Sequence, residues 1–432
     1  MDTQDKRSGV RKGIEAIALL VIIAGVGIGI VYLATLPGPS GGLFTVTTGV
    51  NTATLPPFNQ TSTTVSGAST STTSFSSVLY TYDLCNGKLS AGNASGSNGG
   101  SGCYLQPEGV LFDPDNGLLY VSHTGAVTVM NATSNSFVAN IGGIQSAEQM
   151  VYDGANHLIY ATNFLSYGTQ SYVAIVSEIS PVSNSVVGNI TVGTSRTTEI
   201  NEWGIALDPT NGDLYVAVYC DVGKCNNGNL SVISTASNAV VKTITGLSRC
   251  SGAGSCLPGP VFYDSASATI YIGHEYSSNI TLVNPSTNTP EGTLDLTATA
   301  GSGASPLAFT YDSSNGLIYA ADEGTNKVTV IVAATNAVNE TIGSYLYSFS
   351  GGYFLGGLYG GNEPWGIAYD PSSNLVYVAN FASGNVTLIS CSTDSVVGFV
   401  NVGAGPRGMA YDPANGYVYV ADHYSDTISI LT

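Results

Sequence analysis

Ala410-Tyr-Asp-Pro-Ala-Asn-Gly-Tyr-Val-Tyr-Val-Ala421 is the fullest of seven copies of one phrase, an Asp followed seven residues later by a Tyr. The copies are Asp113/Tyr120, Asp153/Tyr160, Asp208/Tyr215, Asp264/Tyr271, Asp312/Tyr319, Asp370/Tyr377 and Asp412/Tyr419. They lie 40 to 58 residues apart, a period that marks propeller blades rather than helical solenoids. Alternating apolar residues before the Asp, as in Gly366-Ile-Ala-Tyr369, make a half-buried strand, and Leu375-Val-Tyr-Val-Ala379 makes a second. Between them, Asp-Pro-x-Asn-Gly is turn chemistry: Asp bonds its own backbone, Pro presets φ, and Asn-Gly tolerates positive φ. A third run such as Asn385-Val-Thr-Leu-Ile389 and a fourth, Ser395 to Asn401, complete the unit. Four antiparallel strands repeated seven times predict an all-β, seven-bladed propeller.

The stretches Tyr215-Val-Ala217, Tyr377-Val-Ala-Asn380 and Tyr419-Val-Ala-Asp422 resemble the YVTN-type β-propeller repeats of archaeal surface-layer and secreted proteins. The resemblance covers roughly residues 78–432 and implies a propeller carried on the cell surface; it implies no particular ligand. Copies 2, 4 and 5 lack the Pro, having Gly154, Ser265 and Ser313 instead, so their turns are expected to be less uniform.

Outward from the repeats, residues 16–34 carry no charged or strongly polar side chain. As a helix at ~1.5 Å per residue this run spans about 28 Å, close to a bilayer's hydrocarbon core. Lys6, Arg7, Arg11 and Lys12 precede it, four of only eleven basic residues. The expectation is a cytoplasmic basic segment at 1–13, a transmembrane helix at 14–35, a flexible Ser/Thr/Pro/Gly-rich stalk at 36–77 and an extracellular propeller at 78–432. Arg11-Lys-Gly-Ile-Glu also resembles a class III (type IV pilin-like) signal, which implies cleavage after Gly13. The chain ends on Thr427 to Thr432, a third strand without a fourth, and Val78-Leu-Tyr-Thr-Tyr82 is the expected partner that closes the ring.

A net charge of −18 on only 9% charged residues makes nucleic acid and anionic lipid headgroups poor partners. Sparse charge also suits an acidic environment. Seven cysteines include three candidate disulfides, Cys85/Cys103, Cys220/Cys225 and Cys250/Cys256, leaving Cys391 over. Asn59, Asn93, Asn131, Asn189, Asn229, Asn279, Asn339 and Asn385 head glycosylation sequons, a number that this Asn/Ser/Thr-rich composition yields by chance.

Length variation is confined to second-to-third-strand and blade-to-blade connections: Phe164 to Tyr172, Val218 to Asn227, Leu247 to Leu257 and Gly343 to Asn362, the last holding the aromatic stretch Tyr345 to Phe354. Antiparallel order puts all of these on one face, called the top here, and variable loops on a rigid scaffold are where binding resides. Two registers approach the axis there. Five residues before each Asp stand Glu108, Glu148, Trp203, Gly259, Leu307, Trp365 and Arg407, with Glu202 and Glu363 beside the tryptophans. Ten residues after each Asp stand His123, Asn163, Val218, His274, Asp322, Asn380 and Asp422. Together they make a candidate funnel for a divalent cation or for a glycan stacked on Trp. The competing reading has the later register capping turns and the tryptophans filling the ring.

No GxSxG elbow, P-loop or HExxH motif occurs. The function classes in play are a cell-surface structural, adhesive or ligand-binding protein with glycan or protein partners, a metal-assisted lactonase or lyase, and a pilin-like filament subunit.

Overall fold

The computed structural model describes residues 17–22, 30–35, 44–48, 51–55, 77–92, 104–145, 147–166, 172–195, 200–220, 228–247, 257–343 and 361–432. The chain divides into two compact units, Met1–Phe75 and Ser76–Thr432.

In the first unit, Ile17–Ile22 pairs antiparallel with Ile30–Thr35, and Phe44–Thr48 with Asn51–Leu55. These strands stand where a membrane helix and a structureless stalk were expected, and no helix among the described residues is long and apolar enough to cross a membrane. The difference has a local cause. Ile17, Val21, Ile22, Ile30, Val31 and Thr35 are β-branched, and a bare apolar run does not distinguish a strand from a helix by periodicity.

In the second unit every repeat Asp builds its turn. The N–H two residues on donates to its Oδ1 in all seven copies: Asp115 (2.9 Å), Ala155 (2.9 Å), Thr210 (2.8 Å), Ala266 (3.0 Å), Ser314 (2.7 Å), Ser372 (2.8 Å) and Ala414 (2.8 Å). The copies without Pro keep the same bond, against the expectation of less uniform turns, because the carboxylate organises the turn with or without a preset φ. Six four-stranded sheets follow one another along the chain, from the blade containing Val110–Asp113 to the one containing Pro364–Asp370. The seventh joins both ends of the unit, with Pro406–Asp412, Tyr417–Asp422 and Thr427–Leu431 followed by Val78–Asp83 and then Lys88–Ala91. The closure expected at residue 78 is present, with Thr427 opposite Asp83 and Ile430 opposite Tyr80. The fifth strand was not foreseen; its four residues, all exposed, are too short and polar to read as a strand.

The core is a ring of seven apolar clusters, each lying between two neighbouring blades. All seven repeat tyrosines are fully buried in it. Their hydroxyls latch blade to blade. Tyr160 donates to Asn238 Oδ1 (3.4 Å), Tyr215 to Asn288 Oδ1 (2.8 Å), Tyr271 to Asn336 Oδ1, Tyr319 to Asp394 Oδ1 (2.5 Å) and Tyr419 to Asn135 Oδ1 (3.3 Å). Each acceptor sits in the third-to-fourth-strand turn of the next blade, at φ between 46 and 53°, the left-handed conformation that Asn and Asp tolerate best. The Asn or Asp that shapes each of these turns therefore also receives the neighbour's hydroxyl.

Near the axis the inner strands crowd one another. A Cβ on Gly366 would land on the Arg407 carbonyl, and one on Gly408 on the Glu108 carbonyl. Gly408 N–H donates to Glu108 O across that seam at 2.9 Å.

Cys85 is disulfide-bonded. Its partner lies outside the described residues, as do Cys103, Cys225, Cys250 and Cys256, and Cys220 is described by backbone alone. Cys391 is a buried free thiol, its pKa raised by burial and then by the Asp312 carboxylate. Among the sequons, Asn59 and Asn93 lie outside the described residues; Asn189 and Asn339 are exposed, Asn131, Asn229 and Asn279 half-buried, and Asn385 buried, accepting a bond from Asn380 at 2.8 Å.

Candidate functional site

The seven inner strands enclose an axial cavity of about 240 Å³. At its top mouth the register five residues before the repeat Asp places Glu108, Glu148, Leu307 and Trp365 on the wall. Arg407 stands beside them and binds Glu108 Oε2. Its guanidinium carbon lies 4.3 Å from the Trp365 ring centroid and 4.9 Å from that of Phe381, so the cation is held by a carboxylate and two aromatic faces. His423 Nδ1 is 3.0 Å from Glu108 Oε1, off the line of a hydrogen bond. Phe381, His423 and Tyr424 close an aromatic patch with Trp365, ring centroids 4.8 to 6.1 Å apart, and Tyr424 is 64% exposed.

Carboxylates dominate the charge here. Burial raises the Glu148 pKa first, then the Glu108 charge; Arg407 opposes and Glu275 adds to the rise. Glu275 is raised by burial and by Glu323, and Glu323 by burial and by Glu363. Glu363, at φ 55°, is held through its backbone N–H to Asn326 Oδ1 at 2.7 Å. Of these acids only Glu108 has an ion pair among the described residues.

The later register goes elsewhere. His123, His274, Asp322 and Asp422 are buried inside their own blades and do not line the cavity. His123 Nε2 meets Thr128 Oγ1 (3.0 Å) and His274 Nε2 meets Thr281 Oγ1 (2.8 Å). Asp322 Oδ2 accepts from Thr329 (2.6 Å), and Asp422 Oδ2 from Thr427 (3.0 Å) and Ser429 (2.7 Å). Asn163 and Asn380 make the same kind of contact, to Ser177 and Thr387 at 2.9 Å each. Burial lowers both histidine pKa values, that of His274 to about 4.

Side chains alternate along a strand, so the register one residue later faces the other way. That register contains Glu275, Glu323, Phe381 and His423, the members of the mouth that sequence reasoning missed. The signal was present in the repeat alignment, one column to the right. Glu202 and Trp203 are described by backbone alone, and the aromatic stretch from Tyr345 to Phe354 lies outside the described residues. Among the described residues no three His, Cys, Asp or Glu side chains converge as a metal-ligand set.

No protein-family profile and no curated protein matches the chain. Solved structures do. Hydrazine synthase of Kuenenia stuttgartiensis superposes with a TM-score of 0.58 at 18% identity, covering 77% of this chain and 97% of that one. The Pan2 WD40 domain of Neurospora crassa gives a TM-score of 0.51 at 12% identity, covering 76% of this chain and 89% of that one. The likeness is one of fold.

Proposed function

We propose that the chain is a cell-surface binding propeller that takes a cationic group, such as a lysine side chain of another surface protein, at the top mouth of its axial cavity. The observation that carries this reading is Glu148. Its carboxylate lines the cavity beside Glu108 and Glu275, and the nearby cation, Arg407, is committed to Glu108. A protonated amine entering there would relieve both the burial and the like-charge repulsion. Trp365 and Phe381 already hold one cation and supply the aromatic wall.

Display outside the cell is supported by the apolar run 16–34 behind four basic residues and by the disulfide at Cys85. In hydrocarbon a two-stranded sheet leaves its edge N–H and C=O groups unpaired, so within a bilayer this run satisfies its backbone only as a helix. Protease treatment of sealed vesicles should remove the propeller from the outer side alone. An intact mass beginning at Ile14 would instead point to the pilin-like filament subunit that Arg11-Lys-Gly13 supports.

Binding is tested by calorimetry of the full chain in detergent with a linear aliphatic diamine and, separately, a neutral oligosaccharide. The diamine should bind stoichiometrically, and Glu148→Gln should weaken it at least about ten-fold, the equivalent of one charge-assisted contact of ~1.4 kcal/mol. Binding of the oligosaccharide alone, or diamine binding indifferent to Glu148→Gln, would refute the cationic assignment.

A further inference from the structure

Asp422 ends the second strand of blade 7 and is fully buried. Its Oδ2 accepts from Thr427 and Ser429, while its Oδ1 has no donor at hydrogen-bonding geometry, although the Gly403 and Ser429 amides face the carboxyl. The segment Val402 to Gly405 lies directly on it: a Cβ on Gly403 would come within 2.6 Å of the carboxyl carbon. The same segment is clamped to the mouth. Ala404 N–H donates to Ser425 Oγ (2.6 Å), His423 N–H to Gly405 O and Tyr424 N–H to Ala404 O (both 2.9 Å). Gly405 packs against the Tyr424 and Phe381 rings, and the next residues are Pro406 and Arg407.

An ionised carboxylate enclosed in this way, with hydroxyl donors and no cation, is relieved only by admitting water. Water can reach Asp422 by lifting the segment that covers it. The titratable groups around it are His423, Tyr424 and Asp426 on its own hairpin, and Arg407 and Glu108 at the mouth; its balance is set by burial against hydrogen bonds. Blades 2 and 6 carry Asn163 and Asn380 at the equivalent position, so the site is built for a neutral group.

We propose that Asp422 is a proton-operated latch: protonated, it holds the Val402–Gly405 segment closed on the mouth, and ionised, it releases the segment and with it the footing of Arg407. As a control on ligand binding it rests on the reading of the mouth as a binding site; as a motion it does not. The sign follows from linkage. Burial raises the carboxyl pKa from its ordinary value to about 7. The closed form therefore holds the proton more tightly than the open form, and opening becomes about ten-fold easier per pH unit between roughly pH 4 and 7, then levels off.

The test is hydrogen exchange of the Ala404, His423 and Tyr424 amides in the full chain without ligand, corrected for intrinsic rate, from pH 5 to 8. Protection should fall about ten-fold per unit up to near pH 7 in the wild type. It should stay flat in Asp422→Asn and fall as in the wild type in Asp322→Asn, whose buried carboxyl is in blade 5. A wild-type segment with constant protection, or an Asp422→Asn variant that titrates like the wild type, overturns the proposal. Should Asp422→Asn fail to fold, infrared spectroscopy of the wild type decides. A buried protonated carboxyl band must disappear over the same pH range in which protection is lost. Because no ligand is used, failure of the latch and failure of amine binding are read separately.

Discussion

Replacing Tyr215 with Phe removes one oxygen from a fully buried ring and should destabilise the propeller by about 2 kcal/mol. The hydroxyl donates to Asn288 Oδ1 at 2.8 Å and lies 3.2 Å from the carbonyl oxygen of the buried Pro285, both in the next blade. A net hydrogen bond contributes ~1 kcal/mol, and an acceptor left buried without a donor costs ~1 to 3 kcal/mol. Tyr120 is the internal control. It is equally buried, but its hydroxyl accepts from Asn116 of its own turn at 3.1 Å, and the corresponding acceptor in blade 2, Asn184 Oδ1, has no hydrogen-bond partner. Tyr120→Phe should therefore cost under about 1 kcal/mol. The assay is urea unfolding at fixed pH, with a double-mutant cycle to Asn288→Gly, chosen because Gly tolerates the φ of 53° at that turn. A coupling near 1 kcal/mol is expected. Equal costs for the two Tyr→Phe variants, or a coupling of zero, would refute the idea that these hydroxyls lock blades together.

Gly366→Ala should cost more than about 3 kcal/mol, because its Cβ would meet the Arg407 backbone rather than a movable side chain, while Gly292→Ala, with nothing within 4 Å, should be neutral by the same unfolding assay. Glu108→Gln should lower stability by about 3 kcal/mol, since it leaves the largely buried Arg407 without its carboxylate, whereas Glu148→Gln should leave stability unchanged or raised because burial and the Glu108 charge disfavour the ionised form of Glu148; thermal scans of both variants at one pH check this.

The seven Asp/Tyr pairs made blade number and strand order legible, because both residues serve local structure that every blade repeats. The closing strand at Val78–Asp83 was legible for a related reason: a propeller has no free edge to spare. The latches were not. Tyr215 and Asn288 are far apart in the chain, and nothing in either residue names the other. The mouth was half legible. Counting back from Asp found Glu108, Glu148, Trp365 and Arg407, since the inner strand begins at a constant distance from the turn. Counting forward landed on His123, His274, Asp322 and Asp422, polar residues whose partners are Thr and Ser of the next strand. Polarity alone does not tell a strand-end side chain aimed into the blade from one aimed at solvent. Strand parity separates them once the Tyr is placed: His423 shares the parity of Tyr419, which faces blade 1, and Asp422 has the opposite parity.

The aromatic and Arg–Glu contacts of the mouth lie at blades 6, 7 and 1, around the blade in which the ring closes. Blade 7 alone is assembled from both ends of the unit: hydrogen bonds join Thr427–Leu431 to Val78–Asp83 within it, and the sequence runs on from Lys88–Ala91 to the first strand of blade 1. Polar ties fix the inner part of blade 7 against blade 1: Gly408 N–H to Glu108 O, Arg407 to Glu108, and the Leu105 and Gln106 amides to Asp426 Oδ1 at 2.9 and 2.8 Å. Glu108 and Arg407 are thus structural ties as well as members of the mouth, and their conformations are set by seam closure before any ligand arrives. Glu148 has no such duty. A preorganised pair beside an acid without an ion pair among the described residues separates the part of the mouth that holds shape from the part that a cation would ionise. The same geometry couples the two. A motion of Val402–Gly405 displaces Arg407, frees the Glu108 charge and alters the field at Glu148, so whatever loosens the seam also changes what the mouth attracts.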